Sequence, residues 1–200
     1  MAIMMGIDIG QKRDPSAICV AETQTRVDGE QSVVHHLIRH LERLPVSTPF
    51  PEVAKRVATV ALSVEHRVDD SPLIFVDATG LGRPIMDLLE EAVSRPRTVT
   101  PVYFNHGDRR TERGSGWHTE VQLGKAYLVS RLQALLQTRR LHLPRITQSE
   151  TLARELQEYE IQVAEDANDR YGAFRVGTHD ELVTALGLAV QRDPIGPGIY

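Results

Sequence analysis

Cysteine is nearly absent from this chain: Cys19 stands alone among 200 residues. An internal disulfide and any cysteine-built zinc centre are thereby excluded. Cys19 lies in the apolar run "SAICVAE", where a small buried hydrophobe is expected. No apolar stretch approaches the roughly 18 residues that a membrane span requires. The N-terminus has neither the basic start nor the small-residue cleavage site of a signal peptide, which predicts a cytoplasmic protein with no membrane partner. The phosphate-binding pattern G-x-x-x-x-G-K-[ST] is missing too, as are internal repeats and low-complexity segments. What remains is 41% apolar and 25% charged, the composition of an ordinary globular domain.

Net charge is −4, which by itself argues against a polyanionic partner. Its distribution argues otherwise. Residues 1–94 carry 9 basic and 14 acidic side chains, residues 95–145 carry 10 and 3, and residues 146–200 carry 4 and 10. A basic middle segment inside an acidic chain can hold a phosphate backbone if it folds onto one face.

The elements follow from hydropathy periods. "AIMMGIDI", "SAICVAET" and "SVVHHLIRHL" read as three strands, the last two joined by a turn at Asp28-Gly29. Val53, Val57, Val60, Ala61 and Val64 have helical spacing, "PLIFVDA" is a strand, and Pro84 opens a helix faced by Ile85, Leu88, Leu89 and Ala92. "TVTPVYF" is a further strand. Residues 105–118 read as a polar loop. A helix faced by Val121, Leu128, Leu132, Leu135 and Leu136 follows, then the extended "RLHLP" and the helix "SETLARELQEY". A hairpin around "DANDRYG" and a helix from about His179 to Gln191 complete the domain, over residues 1–192, with 193–200 expected to fray. Three antiparallel strands followed by β-α-β units predict an α/β fold of the ribonuclease-H-like type: a mixed sheet with helices on both faces and an added C-terminal hairpin.

Three acids stand at element ends. Asp8 and Asp77 close apolar strands, and Asp180 opens the last helix. A carboxylate in such a place is costly without a partner or a cation, and three distant segments each delivering one is a pattern for a divalent-metal site. Taken singly, the residues leave other roles open. Asp8 could be satisfied by donors in the turn at Gly10, and Asp77 could form an Asx-turn. Thr178 and Glu181 have capping-box spacing, which makes Glu181 a cap and only a second choice as ligand. Gly187 suggests a close approach of this helix to the sheet. The histidines show no metal spacing; His36 and His40 lie in a strand. Trp117 is expected to pack locally.

Together, "GIDIGQKRDPSAICVAE", "VDATGLGRPIMDLL", "GKAYLVSRLQALLQTRRLHLP" and "THDELVTALGLAV" resemble the C-terminal nuclease domain of the phage terminase large subunit, in order and approximate spacing over nearly the whole chain. The resemblance implies a ribonuclease-H-like nuclease that cuts double-stranded DNA during viral packaging. It implies Asp8, Asp77 and Asp180 as the acidic triad, Mg²⁺ or Mn²⁺ as cofactor, and Lys125 near the DNA. Two ions ~3.5–4 Å apart would activate a water and stabilise the leaving oxygen, with hard oxygen ligands favouring Mg²⁺ or Mn²⁺ over zinc. DNA contacts are expected from Arg109, Arg110, Arg113, Lys125 and Arg131, with Lys12 and Arg13 flanking the site. Such a nuclease would work with an ATPase packaging motor and a portal in the host cytoplasm. The missing phosphate loop means either an excised domain or a free-standing relative.

Three other classes fit parts of the pattern. A Holliday-junction-resolvase-like nuclease shares the metal chemistry and differs in substrate. An actin-like or sugar-kinase-like ATP-binding protein would share "GIDIG" and the sheet, yet needs two such domains. A non-catalytic DNA-packaging module would keep the fold without the cleavage.

Overall fold

The computed structural model of the chain describes residues 1–10, 14–94, 98–115, 118–162, 170–172 and 179–194. The opening meander is β1 (Ile3–Asp8), β2 (Ala17–Asp28) and β3 (Gln31–Arg43), turning at Gly29 with φ 63°. Then come α1 (Phe50–Val68), β4 (Leu73–Asp77), α2 (Arg83–Val93) and β5 (Val99–Asn105). The second half runs β6 (Arg110–Arg113), β7 (Glu120–Gly124), α3 (Lys125–Gln137), β8 (Leu141–His142) and α4 (Thr147–Glu158). A separate two-stranded hairpin, β9 (Glu160–Gln162) with β10 (Arg170–Gly172), precedes α5 (Glu181–Ala189).

The main sheet has eight strands in the order β6-β7-β5-β4-β1-β2-β3-β8. β1 lies at its centre, antiparallel to β2 and parallel to β4, with Ile7 opposite both Ile18 and Val76. β5 and β7 continue the parallel side and β6 closes it antiparallel. The expected mixed sheet with helices on both faces and an added hairpin is therefore present.

The two-residue period of β1 sorts its side chains between two cores. Ile3, Met5, Ile7 and Ile9 join Val53, Val57, Met86 and Leu89 under α1 and α2. Met4 joins the core of α3, α4 and α5 with Phe75, Leu128, Leu152 and Leu186. By the same parity Gly6 and Asp8 belong to the α5 face. Helix α5 is buried nearly all round, at Leu182, Val183, Ala185, Leu186, Gly187, Leu188 and Ala189, as a helix covered on both sides must be. Its backbone presses on β1 at Gly6, where a Cβ would overlap the Ala185 carbonyl oxygen and come within 2.5 Å of the Ala189 nitrogen.

Several expectations need correction. Residues 105–118 are not simply loop, since Arg110–Arg113 pair with β7 as an edge strand. Val121 belongs to β7, because Val121 and Leu123 alternate inward with period 2 and the helix starts only after Gly124. Gly187 packs against Leu128 of α3, so the close approach to the sheet is made at Gly6 instead. Asp193 is not frayed: it accepts from Arg131 Nη2 at 2.8 Å and Arg140 Nη2 at 3.2 Å, and lies 3.0 Å from His36 Nε2. These partners hold its carboxyl below the usual carboxylate range. Residues 195–200 lie outside the described residues, as do Trp117, Lys12, Arg13 and Thr178. Cys19 is fully buried, and burial pushes its thiol up.

Candidate metal centre and DNA face

Asp8 ends β1 and Asp77 ends the adjacent parallel strand β4, so both residues lie at the same, C-terminal end of the central strands. Parallel strands run in one direction, and their C-terminal ends open a crevice where open α/β sheets bind ligands. The N-terminus of α5 delivers Asp180 and Glu181 to the same neighbourhood. Burial pushes the Asp8 carboxyl well above its ordinary range, and the negative charges of Asp77, Asp180 and Glu181 push it further. Lys125, at the start of α3, opposes them with its positive charge. Asp77 is also raised, by burial against the hydrogen bond it receives from Thr79 and the charge of Lys125.

The local alternatives resolve differently for the two aspartates. The Gly10 N–H donates to Ser16 Oγ at 3.1 Å, and among the described residues no donor bonds the Asp8 carboxylate. The turn at Gly10 thus does not satisfy Asp8. Asp77 does form the Asx-turn, with Oδ1 accepting from the Thr79 N–H at 2.8 Å. Asp180 is the N-cap residue of α5 and makes no side-chain capping bond. Glu181 is the first helical residue, too early in the turn for the capping role the sequence suggested. Its carboxylate pairs with His179 Nδ1 at 3.0 Å and Arg43 Nη2 at 3.3 Å.

Among the described residues no three His, Cys, Asp or Glu side chains converge closely enough to grip an ion unaided. A set of carboxylate oxygens suits a hard divalent cation such as Mg²⁺, which binds through one or two carboxylates and keeps several waters. A half-buried carboxylate beside three other acids is costly, and a divalent cation there would relieve that cost.

The basic residues separate into two groups. Arg109 is 88% exposed, 3.8 Å from Asp108, and Arg113 is also exposed. Lys125 is half-buried, with Nζ 5.7 Å from the centre of the Phe104 ring. Arg110 and Arg131 are committed inward. Arg110 donates to Gln191 Oε1 at 2.8 Å and Glu112 Oε1 at 2.5 Å. Arg131 bonds the Val190 carbonyl and Asp193 at the far end of α5. These two were expected on the DNA face because their sequence segment is basic, but edge-strand and helix packing turn them to intramolecular carboxylates and carbonyls.

Sequence reasoning missed Arg43, Glu155 and His179 around the start of α5. Glu155 did leave a signal: it falls on the apolar face of α4 with Leu152 and Leu156, an odd place for an unpaired charge.

No protein-family model matches the sequence, and no curated protein matches it. Solved structures do. The large terminase nuclease from thermophilic phage G20c is 20% identical with a TM-score of 0.66, covering 96% of this chain and 82% of that one. The large terminase nuclease domain of bacteriophage SPP1, with bound Mn, is 15% identical with a TM-score of 0.54, covering 97% and 88%. The human cytomegalovirus terminase nuclease domain is 14% identical with a TM-score of 0.59, covering 95% and 82%. The chain thus has the ribonuclease-H-like fold of the terminase nuclease domains. Among the described residues no helix is long and apolar enough to cross a membrane.

Proposed function

We propose that this chain is a Mg²⁺- or Mn²⁺-dependent endodeoxyribonuclease that cuts double-stranded DNA, acting as the nuclease part of a viral packaging terminase. The observation that carries this reading is the carboxylate group at the C-terminal ends of two central parallel strands. Asp8 and Asp77 close adjacent parallel strands, and Asp180 and Glu181 arrive beside them from α5. The neighbours of the same fold add support, since the G20c nuclease has been seen with bound magnesium and the SPP1 domain with manganese.

In this reading Asp8, Asp77 and Asp180 would hold the divalent cations. The bound cations supply a water of lowered pKa and Lewis-acid stabilisation of the charge that develops at phosphorus. The protein's own residues do the rest. Asp8, pressed by burial and three negative neighbours, carries its charge at a cost that a divalent cation would relieve. Lys125 sets a positive charge beside the carboxylates, drawing the scissile phosphate toward them. Arg109 and Arg113, exposed on the sheet-edge segment, hold the duplex backbone without reading sequence. An ATPase motor and a portal are the partners such a nuclease would serve.

One alternative is a packaging module that retains the fold without cleavage. Supercoiled plasmid incubated with Mn²⁺, Mg²⁺ or EDTA separates the two. We expect nicking and linearisation with either metal, none in EDTA, and none from Asp8→Asn or Asp77→Asn. Asp180→Ala should lose far more activity than Glu181→Ala, because both Glu181 oxygens already have protein partners. Near-wild-type cleavage by both Asn variants would remove the basis of the assignment, and no cleavage by the wild type would favour the module.

A further inference from the structure

Helix α5 starts without a cap of its own, because the Asp180 side chain makes no capping bond. A carboxylate from another helix takes that place. Glu155 Oε2, on α4, accepts from the backbone N–H of Leu182 at 3.1 Å and of Val183 at 3.3 Å. These are two of the donors that the first turn of any helix leaves unpaired. Glu155 is only 4% exposed, and its other oxygen is ion-paired with Arg43 at the end of β3. The same Arg43 Nη2 reaches Glu181 Oε2, while His179 Nδ1 sits against Glu181 Oε1. One guanidinium from the sheet therefore joins a glutamate of α4 to a glutamate of α5, at the turn that delivers Asp180.

Both glutamates are nearly inaccessible, and without Arg43 each would lose its guanidinium partner in a place that water barely reaches. The arrangement also occupies both Glu181 oxygens, one with Arg43 and one with His179.

We infer that Glu155 and Arg43 are positioning residues for the metal centre: they fix the first turn of α5 so that Asp180 stays beside Asp8 and Asp77, and they keep Glu181 off the cation. This inference rests on the nuclease reading. Outer partners of metal ligands commonly change metal affinity by roughly 10- to 100-fold when removed, and the same range is expected here.

The test uses Glu155→Ala, Glu155→Gln and Arg43→Ala, with Leu152→Ala as a packing control on the same helix. Glutamine keeps an oxygen for the two amides but loses the charge that pairs with Arg43, so it retains the cap in a protein that folds. Amide exchange in EDTA should accelerate at Leu182 and Val183 in Glu155→Ala. Calorimetric Mn²⁺ titration should show roughly 10- to 100-fold weaker binding for Glu155→Ala and Arg43→Ala, and a smaller loss for Glu155→Gln. Leu152→Ala should lower thermal stability while leaving Mn²⁺ affinity unchanged. Unchanged affinity in all three brace variants, or an equal loss in Leu152→Ala, overturns the inference. A wild type that binds Mn²⁺ no better than Asp8→Asn refutes the nuclease reading itself, and the inference falls with it. The exchange data then still report whether Glu155 caps α5.

Discussion

Replacing Asp8 by asparagine should make the metal-free protein more stable at pH 8, although it removes the residue at the heart of the proposed chemistry. Burial raises the Asp8 carboxyl, and Asp77, Asp180 and Glu181 raise it further. A carboxyl whose folded pKa lies above its unfolded value favours the folded state while protonated. That contribution is fully present below the unfolded value of about 3.9 and is lost as pH rises through the folded pKa. Asparagine is neutral throughout and similar in size, so it escapes the loss. A tenfold difference in proton affinity between the folded and unfolded carboxyl is worth about 1.4 kcal/mol, and 1 kcal/mol moves the Tm of a domain of this size by roughly 2–4 °C. The variant should therefore gain roughly 3–5 °C at pH 8 for every such tenfold difference at Asp8, and almost nothing near pH 4. Divalent cation should reverse the order. Mn²⁺ at 100 times its Kd adds about 2.7 kcal/mol to a protein that binds it, so the wild type should rise and the variant should not. Thermal melts in EDTA and in Mn²⁺ at several pH values read all of this. The depressed Asp193 carboxyl has the opposite pH dependence, stabilising above its unfolded value and losing that as pH falls, but it is common to both proteins and cancels in their difference. A variant less stable than the wild type by the same amount at every pH, with cation equally effective on both, would refute the reasoning. Asp8 would then be a structural aspartate.

Two other expectations concern the DNA face and the sheet. Arg109→Ala with Arg113→Ala, in a cleavage-dead background, should weaken binding to unrelated duplexes and reduce the slope of log affinity against log salt by about 0.9 per lost contact. Arg110→Ala should act on stability instead, since that side chain is spent on Gln191 and Glu112; an unchanged salt slope in the double variant would reduce these arginines to solvated surface. Gly6→Ala should cost about 3 kcal/mol or more in urea unfolding, because the methyl group meets the α5 backbone rather than a flexible side chain. A loss under about 1 kcal/mol would mean that α5 can move away from β1 freely.

What the sequence carried unaided was whatever depends on neighbours along the chain. The alternation in β1 placed Ile3, Met5 and Ile7 on one face and put Asp8 on the other, and the apolar runs ending at Asp8 and Asp77 located both acids at strand ends. The Asp28-Gly29 turn set the meander, and that order of elements was enough to name the sheet. Local pattern failed where two periods overlap. Val121 reads equally well as a helix face or as an inward strand position, and only the pairing of β7 with β5 and β6 settles it. The tertiary structure alone decided the destination of charge. Arg110 and Arg131 are as basic in sequence as Arg109, yet they are consumed by Gln191, Glu112, Val190 and Asp193, partners between 2 and 81 residues away. Glu155, on the apolar face of α4, finds its partners only in the first-turn amides of α5 and in Arg43. The reason is physical: a hydropathy period is written into the bonded geometry of a strand or helix, whereas an ion pair or a borrowed helix cap exists only once distant segments have packed, and its energy depends on the burial that packing creates.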